Sequence, residues 1–232
     1  MKVENTKSIR KIQSFVKRSG RLTEGQKYGL KELWPNFGID PKAGQLINFD
    51  IVFPKQQPVF LEIGFGNGDS LLEMAINEPH HNFLGIEVYE AGVGRLINEA
   101  HKHNLGNLRV LKEDAVEILK DNISDDSLSG FQLYFADPWH KKKHYKRRIV
   151  QTEFMNLISK KLINKGFVHM ATDWENYAEY MMEVLEAHPH FKNTLSAHTY
   201  SLRPERRPIT KFERRGERLG HGVWDLLFTN EK

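Results

Sequence analysis

Between Leu61 and Ser70 the chain reads L-E-I-G-F-G-N-G-D-S, an apolar run followed by three glycines at alternate positions, Gly64, Gly66 and Gly68. Glycine lacks a Cβ and takes dihedrals closed to other residues, so a ligand can lie close against the main chain of such a loop. The spacing departs from the dinucleotide fingerprint G-x-G-x-x-G: Asp69 stands where that pattern has its third glycine, and an aspartate would repel a pyrophosphate. Glu62, just ahead of the glycines, suits instead a ligand with a cationic end. S-adenosylmethionine, which carries an ammonium and a sulfonium, is such a ligand.

Four more acids, Glu87, Asp114, Asp137 and Asp173, each close or follow a short apolar run. In open α/β sheets ligands sit outside the carboxyl ends of the strands, so acids at the tips of neighbouring parallel strands converge on one rim. Glu87, about 20 to 25 residues past the glycine loop, is placed to accept hydrogen bonds from both hydroxyls of a ribose. Asp114 can accept from an adenine amino group. For any single acid the competing role is a helix N-cap, because Asp and Glu favour helix starts.

The elements that must position these acids are legible as alternating strands and amphipathic helices from Val59 onward, the pattern of a mostly parallel sheet. Strands are expected at Val59 to Ile63, Asn82 to Glu87, Leu108 to Leu111, Phe131 to Ala136 and Gly166 to Ala171, with Phe191 to Ala197 and Val223 to Thr229 as a closing antiparallel pair. Helical spacing places Leu71, Leu72, Ala75 and Ile76 on one buried face and Tyr89, Val93, Leu96, Ile97 and Ala100 on the next. Residues 1–50 are basic and rich in turn-formers, and read as a partly ordered arm. Residues 51–232 read as one domain with basic insertions at 139–150 and 201–220.

At 232 residues a single α/β domain with additions is expected rather than two domains. No cysteine is present, so disulfides and thiolate metal sites are excluded. The eleven histidines do not suggest a metal centre either: His101 and His103 point to different sides of a helix, and His140 and His144 sit among cations. No apolar run is long enough to span a bilayer and the start is not signal-like, which points to the cytoplasm and away from membranes.

The net charge is only +4, but it is unevenly spread. Residues 1–31 hold nine Lys/Arg against Glu4 and Glu24, residues 141–148 hold six with no acid, and residues 203–218 hold seven against three acids. One such block is commonly a solvated face. Three, with Phe15, Tyr28, Trp139, Tyr145, Phe212 and Trp224 nearby, point to a nucleic acid.

The ordered set L-E-I-G-F-G-N-G, G-I-E-V, F-A-D-P-W-H-K-K-K-H, A-T-D-W and R-P-I-T-K-F-E-R-R-G resembles the bacterial tRNA (guanine-N7)-methyltransferases, from the N-terminal arm to the last strand. The resemblance implies a Rossmann-like class I methyltransferase with a mostly parallel seven-stranded sheet, helices on both faces and an antiparallel last strand. It implies S-adenosylmethionine as cofactor, held by Glu62, Gly64, Gly66, Gly68, Glu87, Asp114 and Asp137, with Asp137 also catalytic. Lys141, Asp173 and the run Thr210, Lys211, Phe212 and Glu213 are implied to meet the target guanosine, at position 46 in the variable loop of tRNA. Lys143, His144, Tyr145, Lys146, Arg147 and Arg148 are implied to meet the RNA. The protein is expected to act as a monomer or homodimer.

Guanine N7 has a free lone pair and no proton to lose, so the work is positioning rather than base catalysis. A carboxylate accepting from the guanine N1 and amino hydrogens would strengthen N7 as a nucleophile, and Asp137, Asp173 and Glu213 are candidates. Lys141 is expected on phosphate or in orientation, since a donor on O6 would act the opposite way. Trp139, beside the acid, can stack on an extruded base. Two other readings stay open. Asp137-Pro138-Trp139 is similar to the D/N-P-P-aromatic loop of amino-methyltransferases acting on adenine or protein glutamine, although Trp139 replaces the second proline. A non-catalytic RNA-binding module on the same fold is the other.

Overall fold

The computed structural model describes residues 12–16, 20–210, 213–214 and 222–232. Its centre is a seven-stranded sheet in the order β3-β2-β1-β4-β5-β7-β6. The first five strands, β1 (Val59–Ile63), β2 (Asn82–Ile86), β3 (Leu108–Leu111), β4 (Leu128–Tyr134) and β5 (Leu162–Thr172), run parallel. β7 (Trp224–Asn230) runs antiparallel between β5 and the short β6 (Phe191–Asn193). The expected sheet is therefore present, with β5 beginning four residues early and β6 ending four residues early. Every residue of β1 and β2 is buried, as strands covered on both faces require.

Helices cover the two faces in turn. α4 (Asp69–Asn77) and α5 (Glu90–Lys102) pack on one side, and α6 (Ala115–Asp121), α7 (Thr152–Lys161) and α8 (Glu175–Glu186) on the other, giving two apolar cores. Alternation along β1 feeds both: Val59, Leu61 and Ile63 enter one core and Phe60 the other. In α4 the buried stripe is Leu71, Met74 and Ala75 rather than the expected set, and Ile76 is exposed. α6, for which no face was anticipated, buries Ala115, Ile118 and Leu119.

Much of the stretch expected as a partly ordered arm packs against the sheet domain. α1 (Glu24–Lys31) begins at Thr23 in a capping box with Gln26 and lies along α5. Gly29 meets Gly94 so closely that a Cβ on Gly29 would overlap the Gly94 carbonyl. α2 (Trp34–Phe37) accepts Pro35 in its first turn, where the missing N–H is no loss, and its neighbour Leu33 and its own Phe37 are buried. Ile39 N–H then donates to Val110 O on β3 at 2.9 Å, and Asn122 Nδ2 donates to the carbonyls of Lys42 and Gln45. With α3 (Phe49–Val52), residues 24–53 are part of the packed domain. Their polar composition concealed a few well-placed apolar anchors.

On the face that carries α4 and α5, Tyr134, Phe167 and Ala171 of β4 and β5 join the smaller apolar core. The segment before β7 covers this part of it: Ser201 pairs with Asp225, and the Arg206 guanidinium lies over Phe60 at 4.7 Å and Phe167 at 5.4 Å. No helix of the described residues is long and apolar enough to cross a membrane.

Candidate active site

A cavity of about 510 Å³ opens above the carboxyl ends of the parallel strands, next to the point where β1 is flanked by β2 and β4. Glu62, the glycine loop, Glu87, Asp114, Asp137 and Thr210 all line it. Four of the five anticipated acids thus share one rim. Asp173 follows β5 as expected but does not line the cavity.

The glycine loop has the geometry its composition suggested. Gly64, Gly66 and Gly68 have φ of +74°, +58° and +80°. A Cβ at Gly64 or Gly66 would meet nothing within 4 Å, whereas one at Gly68 would meet Leu96 Cβ at 2.8 Å. The first two glycines therefore leave bare main chain facing open space, and the third lets the loop seat on α5.

Glu62 is buried, and its Oε2 has no hydrogen-bond partner among the described residues. Burial, and secondarily the charge of Glu87, push its carboxyl up to about 8. Glu87 anchors the loop: Oε2 accepts from Gly66 N–H at 2.8 Å, and Oε1 accepts from Val88 N–H at 2.6 Å and Tyr89 N–H at 2.9 Å. Lone pairs remain for a ribose, but three backbone donors come first. Asp114 caps α6, with Oδ1 accepting from Val116 N–H at 3.0 Å, so the cap and the cavity-lining position coincide in one side chain.

Asp137 is exposed at the mouth of the cavity, in a loop strained on both sides. Phe135 and Trp139 have φ of +53° and +49°, a region that bulky residues seldom occupy. Phe135 is held there by its N–H donating to Ala171 O at 2.8 Å. Strain of this kind persists where surrounding structure over-determines it, as at sites that must aim a side chain.

The basic block forms a 3₁₀ turn over Lys142–Arg147. Lys141, Lys143 and Lys146 are exposed, whereas His144 and Tyr145 are half-buried. Partial burial and the neighbouring cations hold the His144 imidazole below its ordinary range. Two arginines depart from the expected picture. Arg148 is buried: it donates to Pro138 O and Asn176 Oδ1, both at 2.9 Å, and stacks on Tyr145 at 3.7 Å. In this structure it fastens the block to the domain. Arg147 lies 3.6 Å over the Trp139 ring and donates to the carbonyls of Gln13 and Phe15, while Trp139 Nε1 donates to Ser14 O. The indole face expected to receive a base thus carries a guanidinium here, and residues 14–16 line the cavity.

Glu213 is buried, and both of its carboxylate oxygens accept from Arg207. Lys211 and Phe212 lie outside the described residues. Sequence reasoning gave no role to Arg207, the first residue of the run R-P-I-T-K-F-E-R-R-G, nor to Tyr134, His169 and Asp225 beneath it. The signal was there: His169 interrupts the apolar stretch of β5 around Phe167, Val168, Met170 and Ala171, and Asp225 stands between Trp224 and Leu226 at the start of β7. Among the described residues no group of three His, Cys, Asp or Glu could hold a metal ion.

S-adenosylmethionine fits this cavity on the structure's own terms. An unpartnered buried carboxyl awaits an ammonium, bare glycine main chain faces the open space, and acids stand at the tips of β2 and β3 for hydroxyl and amino donors.

A family model described as "Putative methyltransferase" matches residues 56–226. A tRNA (guanine-N(7)-)-methyltransferase from Vibrio vulnificus is 55% identical over 226 residues, covering 97% of this chain and 94% of that protein. A protein of the same name from Pseudoalteromonas atlantica is 56% identical over 220 residues, covering 95% and 92%. Among solved structures, the 16S rRNA methyltransferase KamB superposes with a TM-score of 0.56 at 15% identity, covering 93% of this chain and 97% of that one. An rRNA methylase from Streptococcus thermophilus gives 0.51 at 11% identity, covering 76% and 88%. The structural likenesses carry the fold, and with identity above one half along nearly the whole length, the chain belongs to the tRNA (guanine-N7)-methyltransferase family.

Proposed function

We propose that this protein transfers a methyl group from S-adenosylmethionine to N7 of a guanosine in tRNA, in the variable loop at position 46. The observation that carries the reading is the gathering of Glu62, Glu87, Asp114 and Asp137 around one cavity beside exposed lysines. The cofactor supplies an activated methyl group when bound; everything else is the work of this chain. Glu62 holds the amino-acid end, Glu87 the ribose and Asp114 the adenine.

Guanine N7 needs no base, so the protein's contribution is alignment of the lone pair and exclusion of water. Asp137 stands at the cavity mouth on a strained loop, where it aims the guanosine and opposes the positive charge that develops on the purine. Lys141, Asp173, Thr210 and Glu213, with Lys211 and Phe212 between the last two, complete the guanosine side. Lys143, His144, Tyr145, Lys146, Arg147 and Arg148 form the block that grips the RNA, with Arg148 fastening it to the domain. N7 lies on the major-groove edge, unreachable by side chains in an A-form helix, which favours a loop guanosine as target. Trp139 stacks on the base either through the ring face that Arg147 leaves uncovered or by displacing the guanidinium. The protein works in the cytoplasm, as a monomer or homodimer.

Nucleoside mass spectrometry of tRNA after incubation with protein and methyl donor tests the reading. 7-Methylguanosine is expected, mapped to the variable loop; methyladenosine in its place would favour the amino-methyltransferase alternative.

A further inference from the structure

Arg207 is a charged side chain that joins the sheet to the guanosine side of the site. It is fully buried, on the segment that crosses the sheet face before β7. Its guanidinium grips two carboxylates. Nη1 and Nη2 donate to Glu213 Oε2 and Oε1 at 2.6 and 3.0 Å, and Nε and Nη2 donate to Asp225 Oδ1 and Oδ2 at 2.7 and 2.9 Å. Arg203 Nε lies a further 3.6 Å from Glu213 Oε1, and the buried charges persist because each is paired and hydrogen-bonded.

From Asp225 the bonds continue into the sheet. His169 Nε2 lies 2.6 Å from Asp225 Oδ1, and His169 Nδ1 lies 3.0 Å from the Tyr134 hydroxyl. Burial raises the Asp225 carboxyl, but the hydrogen bonds from His169 and Arg207 outweigh it and leave it below its ordinary range, a pure acceptor. His169, kept neutral by burial, therefore carries its proton on Nε2, and Tyr134 donates to Nδ1. Tyr134 lines the cofactor cavity. At the other end Glu213 and Thr210 close a reciprocal pair: Glu213 N–H donates to Thr210 Oγ1 at 3.1 Å and Thr210 N–H to Glu213 Oε2 at 3.4 Å. Thr210 lines the same cavity.

We infer that Arg207 is a positioning residue for methyl transfer: by bridging Asp225 on the sheet to Glu213, it fixes the Thr210–Glu213 turn at the cavity mouth. The inference rests on the reading that this turn meets the guanosine. Glu213 then acts through the turn it holds rather than as a free carboxylate offered to the base.

Arg207→Gln would strip two buried carboxylates of their shared cation and can fail to fold, so the test uses Arg207→Lys, which keeps the charge but not the fork that spans both acids. kcat and KM for tRNA are measured for the parent, Arg207→Lys, Glu213→Gln and the double variant, with S-adenosylhomocysteine affinity by calorimetry. Arg207→Lys is expected to lower kcat by about tenfold or more, with KM for tRNA within about threefold and cofactor-product affinity unchanged. In the Glu213→Gln background it should add less than about a twofold loss, because residues acting as one unit are not additive. Turnover of Arg207→Lys near the parent's rate, a multiplied loss in the double variant, or an equal loss of S-adenosylhomocysteine affinity would overturn the inference alone. A parent chain making no 7-methylguanosine would overturn the functional reading, and this inference with it.

Discussion

The unpartnered oxygen of Glu62 has a measurable consequence. Its carboxyl is raised from 4.5 to about 8, so between those values the folded, cofactor-free protein holds a proton that the unfolded chain has lost. The stability of the free protein should accordingly fall as pH rises through that window. An ammonium placed beside Glu62 favours the ionised form and expels the proton. S-adenosylhomocysteine should therefore bind more tightly from pH 6 toward 7.5, by up to about tenfold per unit, and release up to about one proton per site. Titration calorimetry in buffers of different ionisation enthalpy reads this, and Glu62→Gln should bind weakly with no proton release. Binding that is pH-independent in the parent would remove Glu62 from the ammonium position. Asp137, by contrast, is exposed and makes no cofactor-independent anchor, so Asp137→Ala should cost about 10²-fold or more in kcat while tRNA retention on a filter stays near the parent's. Retained turnover would end its assigned role. The acids around the cavity were readable from the chain because each closes an apolar run. Asp173 obeys the same rule and still stands off the cavity, since the rule places a residue at a rim without stating how far along it. The pairing of His169 with Asp225 was not readable: a polar residue inside a strand announces a partner, but the partner sits 56 residues away on a strand inserted out of sequence order.

Periodicity revealed the five parallel strands and the helices after β1, β2, β4 and β5, because apolar stripes at period two and period 3.6 are what burial demands. It failed where anchoring depends on close approach rather than on a stripe. α1 has one buried residue, Gly29, and it attaches through the close approach of Gly29 to Gly94 on α5, with Leu30 packed beside it on the core. Gly29→Val should push α1 off α5 and destabilise the fold by about 1 to 3 kcal/mol, read as a lowered midpoint in urea. An unchanged midpoint would mean that α1 adds nothing to the stability of the domain. The same lesson applies within the basic block. A run of cations looks uniform in one dimension, yet tertiary structure divides it: Arg148 turns inward onto Tyr145 and Asn176, while Lys143 and Lys146 remain exposed.

That division separates two kinds of loss that a modest net charge of +4 would hide. Association with a polyanion releases counterions in proportion to the phosphates neutralised, so the slope of log affinity against log salt counts contacts, whereas overall charge does not. Lys143→Ala with Lys146→Ala should weaken tRNA binding at low salt and flatten that slope by about 0.7 to 0.9 for each phosphate contact removed. Arg148→Met should lower thermal stability by breaking the stack and the bonds to Pro138 and Asn176, and leave the slope of the folded fraction unchanged. A lysine pair whose removal leaves the slope intact would assign the block to solvent and shift the RNA footprint to the cations of residues 203–218. A changed slope in Arg148→Met alone would show that the buried guanidinium turns outward on binding. The folded RNA would then be read by a surface that rearranges around it, with the strained Asp137 loop, tied to Arg148 through Pro138 O, rearranging too.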